Sequence, residues 1–166
     1  MKWNREDIAR GKTMPISQLL FSFSGRINRK PWWLTSLAIG AIAFVVMVLV
    51  MVMAGGALLS QDPAAMLGAL GGVAIVLVIV VIPLIWIWLA LGAKRLHDRN
   101  KSAWWLLILW VLPLVLQYIG GMIDSVGFIF GLAGFAISIW AIVELGFLRG
   151  TVGPNQYGPD PLEGRA

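Results

Sequence analysis

The sequence predicts an all-α integral membrane protein: a bundle of four transmembrane helices preceded by a short amphipathic helix at the interface. Three observations carry that reading. Apolar residues make up 59% of the 166 residues and charged residues only 13%, about half the charged share of a typical soluble domain. The apolar residues gather into four long runs, roughly 32–53, 66–93, 103–123 and 126–148, and about 20 residues suffice to cross a ~30 Å hydrocarbon layer. Finally, if the runs are spans, all 13 Lys and Arg residues fall on one side. Lys2, Arg5, Arg10, Lys12, Arg26, Arg29 and Lys30 precede the first run; Lys94, Arg95, Arg99 and Lys101 lie between the second and third; Arg149 and Arg165 follow the last. The other two loops carry Asp62 and Asp124 and no cation. Short loops rich in Lys and Arg stay in the cytoplasm during insertion, so the asymmetry predicts four spans with both termini cytoplasmic.

Each element follows in order. Residues 1–12 are charged and polar, and 1–31 form a cytoplasmic segment. Ile16, Leu19, Leu20 and Phe23 recur at helical spacing between Ser17, Gln18, Ser22 and Ser24, the pattern of a short interfacial helix, which Gly25 is expected to end. Arg26, Arg29 and Lys30 then sit at headgroup level, Pro31 opens the first span, and Trp32 and Trp33 join the aromatic belt. The second run is long enough that it must tilt, kink at Pro83 or project into the cytoplasm. It starts with the GxxxG pair Gly68 and Gly72 and ends with Trp86 and Trp88. The third begins with Trp104 and Trp105 and holds Pro113 and Gln117. In the fourth, Gly127, Gly131, Gly134 and Ser138 place small residues a helical turn apart, which lets backbones approach. Packing within the bundle is the simpler use of such residues, and a homo-oligomer seam is the other. A polar tail, 149–166, completes a single membrane domain spanning 1–166.

Composition also excludes functions. No soluble domain remains outside the spans to house a large active site. The net charge of +5 lines the expected cytoplasmic face, where anionic lipids attract cations, so it is not a nucleic-acid signature. Cysteine is absent and His97 is the only histidine, which leaves no ligand set of the usual metal-binding kind; neither metal nor cofactor is expected. About thirty polar and mixed residues precede the first run, so the N-terminus does not read as a cleavable signal.

Three polar stretches stand apart from the spans. Residues 23–33 read FSGRINRKPWW, 94–105 read KRLHDRNKSAWW, and 150–161 read GTVGPNQYGPDP. If the second span continues beyond the membrane, Arg95, Asp98 and Arg99 share one helical face. Arg26, Arg29, Arg95 and Arg99 together form a candidate site for lipid headgroups or another phosphate-bearing ligand, because guanidinium groups bind phosphate bidentately. The competing reading has them serve topology, pairing with Asp98, Asp160 and helix C-terminal carbonyls. His97 and Asp98 are expected to cap and hydrogen-bond at the helix end in preference to catalysing. The tail is turn chemistry, and Asn155, Tyr157 and Asp160 are expected to fold back onto the RLHD stretch, with Asp160 accepting from Arg95 or Arg99. Glu144 is the acidic residue well inside an apolar run. It lies near the cytoplasmic end, where snorkelling or pairing with Lys94, Arg95 or Arg149 accounts for it more simply than an ion pathway.

Together the three stretches resemble the uncharacterised bacterial inner-membrane family called domain of unknown function 805, which includes the YhaH-like proteins. The resemblance rests on F-x-GR-x-x-R before the first span, RLHD-x-x-x-SxWW before the third, and a closing N-x-YGPDP. It implies a multi-pass protein of a bacterial inner membrane and no established activity. Pro31 departs from the acidic residue that relatives often carry there, removing a partner for Arg26 or Arg29. A binding, scaffold or regulatory protein is the function expected first, with membrane lipids and a second copy or another membrane protein as partners. An oligomeric transporter or channel subunit comes next, and an enzyme acting on a lipid headgroup third.

Overall fold

The computed structural model describes residues 14–123 and 127–163. Lys2, Arg5, Arg10, Lys12, Asp124, Arg165 and the expected start of the fourth span at residue 126 lie outside the described residues. Every named element is helical, as composition predicts. They are α1 (Ile16–Phe21), α2 (Arg29–Ser60), α3 (Pro63–Val76), α4 (Ile82–Asp98), α5 (Leu112–Met122) and α6 (Gly127–Ile142). Single π-helical turns at Leu77–Val81, Leu107–Val111 and Val143–Phe147 join α3 to α4, lead into α5 and end α6. Arg29–Ser60, Pro63–Asp98 and Gly127–Phe147 are long and apolar enough to cross a membrane, and Leu107–Met122 is a shorter apolar helix.

Two of the π-turns have a visible cause. A proline lacks the N–H that would bond the carbonyl four residues back, and its ring crowds that carbonyl. For Pro83 the carbonyl belongs to Ile79 and for Pro113 to Leu109, the middle residue of each π-turn. Widening the turn by one residue relieves the conflict. Ahead of Pro83, one of the places where the long second run could adjust, the helix widens into a π-turn, and it continues to Asp98, beyond the expected span end at 93.

The chain divides into two compact units, Leu34–Trp88 and the combination of Met1–Trp33 with Leu89–Ala166. The first is apolar on every side: Leu37, Phe44, Met51, Leu70 and Ile79 are all largely exposed, a surface suited to lipid. Its turn is capped by Asp62, which accepts from Ala64 N at 3.0 Å, with Pro63 opening α3. Of the GxxxG pair, Gly72 faces Met53 so closely that a Cβ would lie 2.5 Å from Cε, while Gly68 faces open space.

In the second unit, α5 and α6 run antiparallel through small residues. A Cβ on Gly127 would come 2.3 Å from Gly120 O, and one on Gly134 would come 3.1 Å from Pro113 O. Those two glycines of the four-residue stripe serve packing within the chain, whereas Gly131 faces open space. Helix α1 stops at Phe21, four residues before the glycine expected to end it. Gly25 instead shapes the turn after it, at φ +95°, a conformation that favours glycine. The unit's core combines Ile27, Leu91, Leu96, Leu109 and Leu145 with the charged residues Arg26, Lys94, Arg95, Asp98 and Glu144, all buried.

Candidate functional site

Those buried charges occupy one polar cap, and the last turn of α4 is its hub. The helix is stopped by a Schellman motif: Lys101 N donates to Leu96 O at 2.9 Å and Asn100 N to His97 O at 3.0 Å, with Asn100 left-handed at φ +57°. Lys94, Arg95, His97, Asp98 and Arg99 precede that stop; between them they reach the end of α1, the turn at Gly25, the end of the last apolar helix and the tail.

Asp98 is the central node. Its Oδ1 accepts from Arg26 Nε at 3.2 Å and Nη2 at 3.1 Å; its Oδ2 accepts from Arg95 Nη1 at 2.5 Å. Arg26 also donates to the tail carbonyls of Thr151 (2.6 Å), Gly153 (2.7 Å) and Gly158 (3.2 Å). The carbonyl of Asp98 in turn accepts from the N–H and hydroxyl of Thr151, at 2.8 and 3.1 Å. Gly150 packs against the carboxylate so tightly that a Cβ there would lie 2.0 Å from Oδ2.

The tail does fold back onto the RLHD stretch. Asn155 Nδ2 donates to His97 O and to Thr151 Oγ1, both at 2.9 Å. The Tyr157 ring stacks on His97 with centroids 3.9 Å apart, and His97 Nδ1 lies 3.3 Å from Gly25 O. Asp160 has partners other than the arginines expected for it. Its oxygens accept from the backbone N–H groups of Gly153 and Leu162, each at 2.9 Å, closing the tail's own turn.

Arginines and a tryptophan cap the end of the last apolar helix. A helix leaves its final carbonyls without internal partners and carries a negative partial charge there. Arg95 Nε donates to Leu145 O (2.6 Å), Trp33 Nε1 to Gly146 O (3.1 Å) and Arg29 Nη1 to Phe147 O (2.9 Å). Arg95 Nη2 reaches Leu148 O, and Arg99 Nη1 reaches Arg149 O at 2.6 Å. Five successive carbonyls are thereby satisfied, four of them by guanidinium groups.

Glu144, in the same π-turn, does not pair with Lys94, Arg95 or Arg149 as expected. Its Oε1 meets Arg99 Nε at 3.0 Å and Lys101 Nζ at 2.8 Å. The Schellman turn explains the change, because it throws Lys101 back toward α6. There its ammonium also lies over Trp105 and Trp140, 4.7 and 5.9 Å from the ring centroids. Lys94 turns the other way, donating to the carbonyls of Gln18 and Ser22 at the end of α1.

The four arginines grouped from sequence therefore divide. Arg26 and Arg95 are buried and bound to Asp98 and backbone carbonyls, Arg99 joins Glu144 to Arg149 O, and Arg29 stays exposed. Sequence reasoning gave no role in the cap to Lys101, Thr151, Gly150 and Trp33, and it offered Lys94 to Glu144 where the structure gives it to the end of α1. A signal existed for Lys101, since Asn a few residues past a basic helix end marks such a stop. Among the described residues no three His, Cys, Asp or Glu side chains come together in a way that holds a metal.

Over residues 20–159 the chain matches the family described as "Protein of unknown function (DUF805)". The chain belongs to that family. Its relatives include the "Uncharacterized protein YiiR" of Escherichia coli strain K12, 31% identical over 89% of this chain and 90% of the relative. Another is the "Inner membrane protein YhaH" of the same strain, 30% identical over 84% of this chain and 86% of the relative. No solved structure matches it. The matched region takes in most of the polar cap, including Arg26, Arg95, Asp98 and Glu144, and all four apolar helices, so membership and architecture agree on a helical membrane protein.

Proposed function

We propose that this chain is a non-catalytic binding or scaffold protein of a bacterial inner membrane. On this reading both termini and the polar cap face the cytoplasm, where the cap meets anionic headgroups or another phosphate-bearing ligand. The observation that carries the reading is the engagement of the buried ionisable groups. Asp98 directs both oxygens at guanidinium groups, Glu144 is held by Arg99 and Lys101, and Arg26 and Arg95 bond carboxylate and carbonyl oxygens. A general acid or base needs an atom free to exchange a proton with substrate, whereas these atoms hold the tail, the α4 end and the α6 end together. Such a clasped platform suits recognition. The exposed cations Arg29, Lys30 and Arg149 flank it at the ends of apolar helices, the depth at which anionic lipid attracts them. The inner-membrane name of the relative YhaH and the distribution of Lys and Arg support the location and orientation.

Native mass spectrometry of the protein released gently from its own membrane tests this. Retention of an anionic phospholipid is the expected result. Solute or ion flux in vesicles holding this protein alone would overturn the reading in favour of a conduit.

A further inference from the structure

A small cleft opens beside the Asp98 node, lined by Asn28, Arg29, Arg95, Asp98, Arg149 and Asp160 among others. It offers about 20 Å³ to the centre of a water-sized group, room for one such group. At its rim Arg29 uses one guanidinium nitrogen to cap Phe147 O and keeps the rest of its fork open. Arg149 is exposed, and among the described residues its side chain makes no hydrogen bond or ion pair. The two carboxylates of the lining are already occupied, Asp98 by Arg26 and Arg95 and Asp160 by two backbone N–H groups. Positive charge is therefore in excess around the cleft, whose lining includes both Arg29 and Arg149.

We infer that Arg29 and Arg149 form an oxyanion site for a phosphate group at the mouth of this cleft. One phosphate oxygen enters the cleft and the remainder meets the two guanidinium groups, whose fork geometry matches phosphate. Both arginines adjoin ends of apolar helices, so the phosphate can belong to a lipid headgroup or to a soluble compound. Arg26 and Arg95 take no direct part, since all their guanidinium nitrogens donate within the cap, and Arg99 lies outside the cleft lining. This inference rests on the binding reading above and narrows it to one site.

The test titrates the full chain in neutral detergent with dioleoyl phosphatidylglycerol, using native mass spectrometry to count bound lipid and inorganic phosphate as competitor. Arg149→Gln is expected to weaken uptake about tenfold, the loss of one charge-assisted contact, and Arg29→Gln by a similar factor. Lys30→Gln, which alters an exposed cation outside the cleft lining, is expected to stay within about twofold of the unmodified chain. Unchanged melting of Arg149→Gln separates lost binding from lost folding, because that side chain bonds nothing in the cap. Displacement by millimolar inorganic phosphate assigns the site to soluble phosphates, and resistance to it assigns the site to headgroups; either supports an oxyanion site. Equal loss in Lys30→Gln and Arg149→Gln would overturn the site and leave the binding reading standing. Absence of any lipid or phosphate uptake by the unmodified chain would overturn both.

Discussion

Asp98→Asn is the sharpest perturbation of the cap. The side chain keeps its shape and one acceptor oxygen, but it loses its charge and turns an NH2 group toward a guanidinium. Arg26 and Arg95 are then left as buried cations, their side chains 1% and 0% exposed, beside a carboxamide that is 5% exposed in its native form. Removing one partner from a buried ion pair costs about 3–5 kcal/mol, because the remaining charge stays desolvated. The carbonyls of Thr151, Gly153, Leu145 and Leu148 still accept from the two arginines, which favours the lower half of that range. Thermal unfolding in mild detergent, followed by tryptophan fluorescence, should show a midpoint lowered by on the order of 10 °C. The paired variant Arg26→Gln/Asp98→Asn should fall short of the sum of its single changes by 1 kcal/mol or more, roughly, since the two residues share one interaction. A loss below about 1 kcal/mol in Asp98→Asn, or strict additivity in the pair, would refute the assignment of Asp98 as the node.

Other outcomes follow from the same contacts. Gly150→Ala drives a methyl group into the Asp98 carboxylate and should cost about 1–3 kcal/mol, with the tail becoming sensitive to protease in detergent. Glu144→Gln should cost less, about 1–2 kcal/mol by the same melting assay, because Arg99 and Lys101 are 24% and 27% exposed and water takes up part of the loss. Asp160→Arg should destabilise the tail turn, and Arg95→Asp should fail to rescue it, since Asp160 bonds backbone N–H groups; rescue of the melting midpoint would contradict this arrangement. Topology is testable because the chain has no cysteine. A cysteine at Gln61 should react with an impermeant maleimide in intact spheroplasts, and one at Val152 should react only after permeabilisation.

Much of the cap was legible as separate stretches and illegible as a network. Helical spacing brings Arg95 and Asp98 together, and the pair forms at i,i+3. The tail's Gly, Pro and Asn content signals turns, and the fold-back onto RLHD is present. Partners distant in sequence were less accessible. Asp160 and Glu144 each had several cations within plausible reach, and a choice among them depends on side-chain directions that no local pattern encodes. Asp160 was captured by backbone N–H groups of its own loop. Glu144 took Lys101 because Asn100 reverses the chain at that point.

The sequence by itself determined the helical membrane class and the presence of four apolar segments. These follow from transfer of apolar residues into lipid, which acts locally along the chain. The tertiary structure decided which arginines are buried and which remain open. From sequence Arg26, Arg29, Arg95 and Arg99 are equivalent cations near a membrane surface. In the fold, Arg26 and Arg95 bond Asp98 and otherwise orphaned carbonyls, while Arg29 and Arg149 flank the cleft. The physical reason is that a buried guanidinium requires several acceptors at once, and only the meeting of the α4 end, the last helix's carbonyls and the returning tail supplies them.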